Sequence, residues 1–218
     1  MLASIHFQTC GDKAKLNPEL FPGLRFLDGG DFFPAQFTPV ILREAEGVRM
    51  RFFRWGLVSC WDEDPTGPAK RVCAPVPAIA KDPAYLIPFR RNRCLIPADS
   101  FQLFDSKKTG RFPHKLSHTD GKLLYLAGIY DICRLPDGNN WYSFSIVTAA
   151  SAFSQGFGET GLPVVLAGPM ANQWIDPDQS PEKLLKMLES WKPENLRIIS
   201  PAKVREEAMG LSTAAPAA

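Results

Sequence analysis

The side chains in this sequence that can do chemistry are its clustered cations, its cysteines, three histidines and one glycine-rich run. In PFRRNRCLIPADSF (88–101), Arg90, Arg91 and Arg93 crowd the start of an apolar stretch, Cys94-Leu95-Ile96-Pro97. Guanidiniums grouped beside a buried strand can grip phosphate oxygens. The same group on a solvated loop end only keeps a protein soluble. Lys70 and Arg71 form a smaller cationic pair upstream. The cysteines, Cys10, Cys60, Cys73, Cys94 and Cys133, are odd in number and lack Cys-x-x-Cys spacing, which argues against a disulfide framework or a zinc site. His6, His114 and His118 offer little for metal binding, and neither a metal nor a cofactor is expected. GFGETG (156–161) satisfies G-x-G-x-x-G, but Leu162-Pro163-Val164-Val165-Leu166 follows and reads as a strand. A dinucleotide site needs a helix there, so that its N-terminus can receive the pyrophosphate. The run therefore reads as a loop between strands.

These groups must be positioned by strands more than by helices. VRMRFFRWGLV (48–58) partly alternates and is dense in aromatics. KLLYLAGIYDI (122–132) and WYSFSIVTAA (141–150) are apolar, aromatic and β-branched, and they flank Asp137-Gly138, a hairpin turn signal. Asp120-Gly121 marks a second turn. One segment reads clearly as a helix, SPEKLLKMLESW (180–191): Ser180 is the N-cap, Pro181 suits the first helical position, and Leu184, Leu185, Leu188 and Trp191 share a face. Strands joined by short turns predict an α+β fold with antiparallel sheet. One domain is expected over 1–205, followed by a disordered tail over 206–218.

The chain has 218 residues with 25 Lys and Arg against 23 Asp and Glu, a formal net charge of only +2. Bulk charge does not mark a nucleic-acid binder, so any such activity must rest on a local patch. The N-terminal segment has no apolar run long enough for a signal peptide or a membrane span. A cytoplasmic protein without a membrane partner is expected.

Read in order, PAQFTPVI, RWGLVSCW, RRNRCLIPADSF, YLAGIYDI, FSIVTAAS and GLPVVL form a series. It resembles the SOS response-associated peptidase (SRAP) family, whose pattern runs from an aPtq-x-x-pv segment through WGLiPsW, NARaE, RRCLvPadGFyEW, faGlw and ftiiTtaA to HdRMPvil. The resemblance spans about Phe33 to Leu166. It implies strongly bent antiparallel sheets forming a barrel-like core, with peripheral helices. It also implies single-stranded or junction DNA as partner and a response to DNA damage at abasic sites. In the family, a cysteine at position 2 becomes the N-terminus; its amine and thiol close a thiazolidine on the abasic aldehyde. An asparagine, a glutamate and a histidine handle the protons.

Carried onto this chain, the reactive positions are changed. Position 2 is Leu2, and Ser4 takes the nucleophile position if Phe7 marks the first strand's aromatic. In CAPVP, Cys73 stands at the asparagine and Pro77 at the block's glutamate. Leu103 stands at the active-site glutamate and Glu159 at the histidine. The chain is thus expected to bind DNA without the covalent or peptidase chemistry. Two alternatives stay open: a rearranged active site using Cys73 or Glu159, with Cys10 as N-terminal cysteine if the chain is cut before it, or a scaffold without DNA. The resemblance implies that Arg90, Arg91, Arg93, Lys70 and Arg71 meet phosphates, and that Pro34 and Trp61 lie near unpaired bases. Trp55 shares that match, but core packing is the favoured reading for it. A monomer is expected.

Overall fold

The computed structural model describes residues 2–7, 21, 30–62, 64, 67–103, 113–135, 137–150 and 161–199. Thirteen strands and four helices follow in the order β1 (Leu2–Phe7), β2 (Gly30–Phe32), β3 (Phe37–Glu44), β4 (Gly47–Trp55), β5 (Cys73–Pro75), α1 (Val76–Ile79), α2 (Pro83–Arg91), β6 (Arg93–Ala98), β7 (Ser100–Leu103), β8 (His114–His118), β9 (Leu124–Arg134), β10 (Asn140–Ala149), β11 (Leu162–Pro163), β12 (Val165–Leu166), α3 (Pro169–Ile175), α4 (Pro181–Glu189) and β13 (Leu196–Ile199). Cys10, Glu159 and the tail beyond 205 lie outside the described residues.

Two long apolar strands build the centre. β9 and β10 pair in antiparallel register from Asn140↔Arg134 to Ile146↔Gly128. Their turn uses Gly138 at φ +87°, a left-handed backbone that glycine adopts without strain. β3 and β4 form a second hairpin, paired from Phe37↔Arg54 to Glu44↔Gly47. β6 joins the two hairpins, pairing with β9 along its whole length and with β3 at Ile41↔Leu95. The ring closes where β4 meets β10 in parallel, Arg54 beside Ser143 and Trp55 beside Phe144. The expected barrel-like core is therefore a closed five-stranded barrel. Inside it Gly128 is closely packed: a Cβ there would stand 2.5 Å from Ile96 Cδ1 and 2.9 Å from Cys94 Sγ.

β11 and β12 are two short bridges where one strand was expected over 162–166. The Val164 N–H donates to Val147, and its carbonyl accepts from Ala127, so the segment stitches β10 to β9. A second antiparallel sheet, in the order β13-β8-β7-β1-β2, continues from the barrel through β7, which follows β6 after Asp99. Helices pack outside. Trp174 of α3 is buried and donates its indole N–H to the Cys94 carbonyl at 2.9 Å. The Ser180 hydroxyl caps α4 by accepting from the Lys183 N–H, and Leu184 and Leu188 are buried beneath it. Among the described residues no helix is long and apolar enough to cross a membrane.

Candidate nucleic-acid interface

β10 gives the barrel two ends. Tyr142, near its start, and Thr148, near its finish, are six strand residues apart, about 20 Å. Of the reactive positions implied by the family pattern, those among the described residues lie toward the Thr148 end. β5 lies beside β10 there, with Cys73 opposite Ile146. β6 delivers Ala98 to the same end and passes into β7. Backbone register then sets Leu2 of β1 opposite Leu103 of β7, and Leu103 opposite His114 of β8. Ser4 stands opposite Gln102, with an irregularity in the pairing between Leu2 and Ser4.

Of the family-equivalent positions at this end, Leu103 and Cys73 are buried. Leu103 is 1% exposed and cannot exchange protons with anything. Cys73 is 7% exposed, and burial pushes its thiol up to about 12, so it stays protonated at neutral pH. Its carbonyl is occupied by the Tyr85 hydroxyl at 3.1 Å. Pro77, close by in chain order, belongs to α1. His114, half-buried in register with Leu103, is the one titratable side chain in this row that sequence reasoning does not find. In sequence it is weighed only for metal binding, for which it offers little; the strand register that places it is a long-range pairing with no local signal. Among the described residues no three His, Cys, Asp or Glu side chains gather as a metal site would require.

The arginines fall into two kinds. Arg93 is 4% exposed. Its guanidinium donates to the carbonyls of Trp174 at 2.8 Å, Phe89 at 2.9 Å, Arg90 at 3.0 Å and Asp176 at 2.6 Å. It ties α2, β6 and the end of α3 together and has no surface for a phosphate. The expected DNA contact at Arg93 is therefore corrected to a structural role, since each of its nitrogens is spent on buried backbone. Burial also pulls its ionisation below the usual guanidinium range. Arg90 and Arg91 are exposed in the last turn of α2, a helix not foreseen from the sequence. Cations there also favour the helix's negative end.

Lys70, Arg71 and Trp61 share the segment between β4 and β5. Trp61 is 57% exposed and Lys70 is exposed. Arg71 is half-buried in a two-pronged pair with Asp62, at 2.6 Å and 3.0 Å. That pair holds Asp62 below the ordinary carboxylate range and raises Arg71. Arg71 also feels Asp82 and Tyr85 at the start of α2, about 12 Å along the helix axis from Arg91. Lys70 and Arg71 thus form one cationic point and Arg90 and Arg91 another. Pro34 takes the second position of the turn Phe33–Gln36, closed by Gln36 N–H to Phe33 carbonyl at 3.1 Å. Ala35, at φ +74°, then accepts a left-handed backbone. Trp55 is core: its indole N–H donates to Val72 at 2.9 Å and its ring lies on Phe144.

A model of the SOS response associated peptidase (SRAP) family matches residues 26–205. The chain is 28% identical over 175 residues to the abasic site processing protein YoaM of Bacillus subtilis, covering 78% of this chain and 76% of that one. It is 25% identical over 182 residues to the abasic site processing protein YoqW of the same organism, covering 79% and 80%. A crystal structure of a Bordetella bronchiseptica protein superposes with a TM-score of 0.72 at 18% identity, covering 89% of this chain and 97% of that one. A family pattern spanning most of the chain, carried on the same barrel, makes this protein a member of the SRAP family.

Proposed function

We propose that this SRAP protein binds single-stranded or abasic-site DNA without forming a covalent bond to it. The DNA half of the reading is supported by the relatives named as abasic site processing proteins. The non-covalent half rests on one observation: where the family pattern has a nucleophile, a glutamate and an asparagine, this chain sets Leu2, a buried Leu103 in register with it, and a buried Cys73. Thiazolidine closure needs an amine and a thiol on adjacent carbons of one residue, and Leu2 carries no thiol. A terminal amine alone gives a Schiff base, which hydrolyses unless reduced. Leu103 supplies no general acid or base for either step. The DNA contacts in this reading are Arg90, Arg91, Lys70 and Trp61, which are exposed, with Arg71 and Pro34 partly exposed beside them.

Incubation with abasic single-stranded DNA, without reductant, followed by a denaturing gel tests the reading. The expected result is a complex on a native gel and no shifted band after denaturation. A denaturation-resistant band overturns it. If that band disappears in Cys10→Ser, a processed N-terminal cysteine is the nucleophile.

A further inference from the structure

The barrel's other end holds a cavity. β4 and β10 touch only through Arg54–Ser143 and Trp55–Phe144. Below that contact, Gly47–Phe53 and Asn140–Tyr142 diverge, and a cavity of about 570 Å³ lies between them and β9. That volume is ordinary for a small-molecule site, and barrel mouths are common places for one.

The walls have a definite chemistry. Phe53 stacks on Tyr142 at 5.1 Å and 20°, and tilts against Tyr130 at 5.1 Å. Tyr142 remains 36% exposed and Ile132 beside it is exposed too, so this aromatic surface is uncovered. Tyr130 is half-buried, and its phenol is pushed up to about 12, which keeps it a neutral donor. Glu44 and Arg51 form a two-pronged pair on the rim, at 2.8 Å and 3.0 Å. Arg43 is exposed on the same rim and makes no ion pair among the described residues, although Asp176 feels its charge.

A flat aromatic wall selects a planar ring. Arg43 and Arg51 can donate to phosphate oxygens in a rim where Glu44, Glu46 and Asp176 offset the charges of Arg43, Arg49 and Arg51, which suits one phosphate group and not a polyphosphate. Glu44 can also accept from the exocyclic amine of a base. We propose that this mouth binds one nucleotide unit, its base against Tyr142 and its phosphate at Arg43 and Arg51. The unit is a free mononucleotide or one unpaired nucleotide of a strand. This binding rests on the mouth residues and not on Arg90 and Arg91 of α2; on one side the mouth adjoins the segment of Trp61, where Cys60 Sγ lies 3.6 Å from the Ile132 carbonyl.

Calorimetric titration of the full chain with dAMP, deoxyadenosine and a short oligo(dA) tests this. Tyr142→Ala and Arg43→Gln alter exposed side chains, and Arg90→Ala/Arg91→Ala serves as the control at the other proposed surface. Saturable dAMP binding is expected, weakened about tenfold by Tyr142→Ala and by loss of the phosphate, and unchanged in the Arg90/Arg91 variant. If only the oligomer binds and Tyr142→Ala weakens it to the same extent, the unit belongs to a strand. Absence of both interactions, or binding that ignores Tyr142→Ala and Arg43→Gln, overturns the proposal. Oligomer binding lost only in the Arg90/Arg91 variant overturns it as well, while leaving the DNA reading intact.

Discussion

The two ends of the barrel differ in what they leave uncovered. At the Thr148 end, Leu103, Cys73, Ala98 and Leu124 are all buried. At the Tyr142 end, Tyr142, Ile132 and Phe52 are exposed among Arg43, Arg51 and Glu44. The Thr148 end, sealed at these described residues, holds Leu2, Leu103 and Cys73, the positions that the non-covalent reading compares with the family's reactive side chains. The contrast teaches that one barrel can pack its two ends differently. Barrel closure depends on the pairing of buried strands, whereas what an end exposes depends on a few side chains there.

Thiols report that contrast most strongly. Cys60 is exposed beside the open end, its Sγ 3.6 Å from the Ile132 carbonyl. Cys73 belongs to the sealed end, with its thiol moved from 9.0 to about 12. A shift of that size lowers the thiolate fraction about thousandfold before access is considered. Cys94 is pushed higher still by complete burial. Alkylation of the native protein followed by peptide mapping should therefore modify Cys60 at least about a thousandfold faster than Cys73 or Cys94. Comparable rates at Cys60 and Cys73 would mean that the sealed end opens in solution.

The next effect is on stability. Leu103→Glu restores a carboxylate at the sealed end but buries it in an apolar setting. Destabilisation of about 3 kcal/mol or more is expected, together with a raised carboxyl pKa. Ile132→Glu at the open end should cost less than about 1 kcal/mol. Urea unfolding of the two variants measures both. Because the folded-state pKa of the carboxyl introduced by Leu103→Glu would be raised, its penalty should shrink as pH falls and the group protonates. Equal losses in the two variants would erase the distinction between the ends.

What could be read from the sequence follows from the range of the signal. The β9–β10 hairpin announces itself through Asp137-Gly138 between two β-branched runs, and α4 through Ser180 and Pro181; both form as expected. α2 is not legible in the same way, because Pro83 and Pro88 both argue against a helix. Pro83 instead fits the first helical position, beside the Asp82 cap. Barrel closure is non-local, two parallel residue pairs between strands almost ninety residues apart (54↔143, 55↔144), and no periodicity reveals it. Arg93 shows the same limit at the candidate site. A cluster of cations in sequence says nothing of which one turns inward, and only the carbonyls of α2 and α3 decide that. Likewise the open end draws on β3, β4, β9 and β10 at once, and no sequence motif joins them.

A smaller effect concerns the segment that carries Trp61 and Lys70 along the barrel. The Asp62–Arg71 pair fastens it, and both side chains are mostly buried. Asp62 titrates below its unfolded value because Arg71 donates to its carboxylate. Its contribution is thus complete above the ordinary carboxylate range and is lost as pH falls through the lowered value. Asp62→Asn should cost about 1 kcal/mol at neutral pH, and the gap to the parent protein should narrow as the pH falls below the ordinary carboxylate range. Unfolding curves at several pH values give the comparison. A gap that stays constant with pH would mean that the charge of Asp62 does not carry the loss.

The smallest structural effect should come from the residues proposed to meet DNA. Arg90 and Arg91 project from the last turn of α2 and make no ion pair among the described residues, although Glu182 feels Arg90. Their service to the fold is the favourable placement of cations at a helix C-terminus, so Arg90→Ala/Arg91→Ala should change stability by no more than about 1 kcal/mol. Arg93→Ala, just beyond them in sequence, removes four bonds to buried carbonyls and should cost several times as much, about 3 kcal/mol. The binding readout should run the other way. Each phosphate contact releases condensed counterions, so the double variant should lose affinity evenly across sequences and flatten the salt dependence by about one to two contacts. Fluorescence anisotropy with labelled single strands at several salt concentrations measures both quantities. An unchanged slope in Arg90→Ala/Arg91→Ala would return these two arginines to the role of helix-end cations and leave Lys70 and Arg71 as the cationic point to examine.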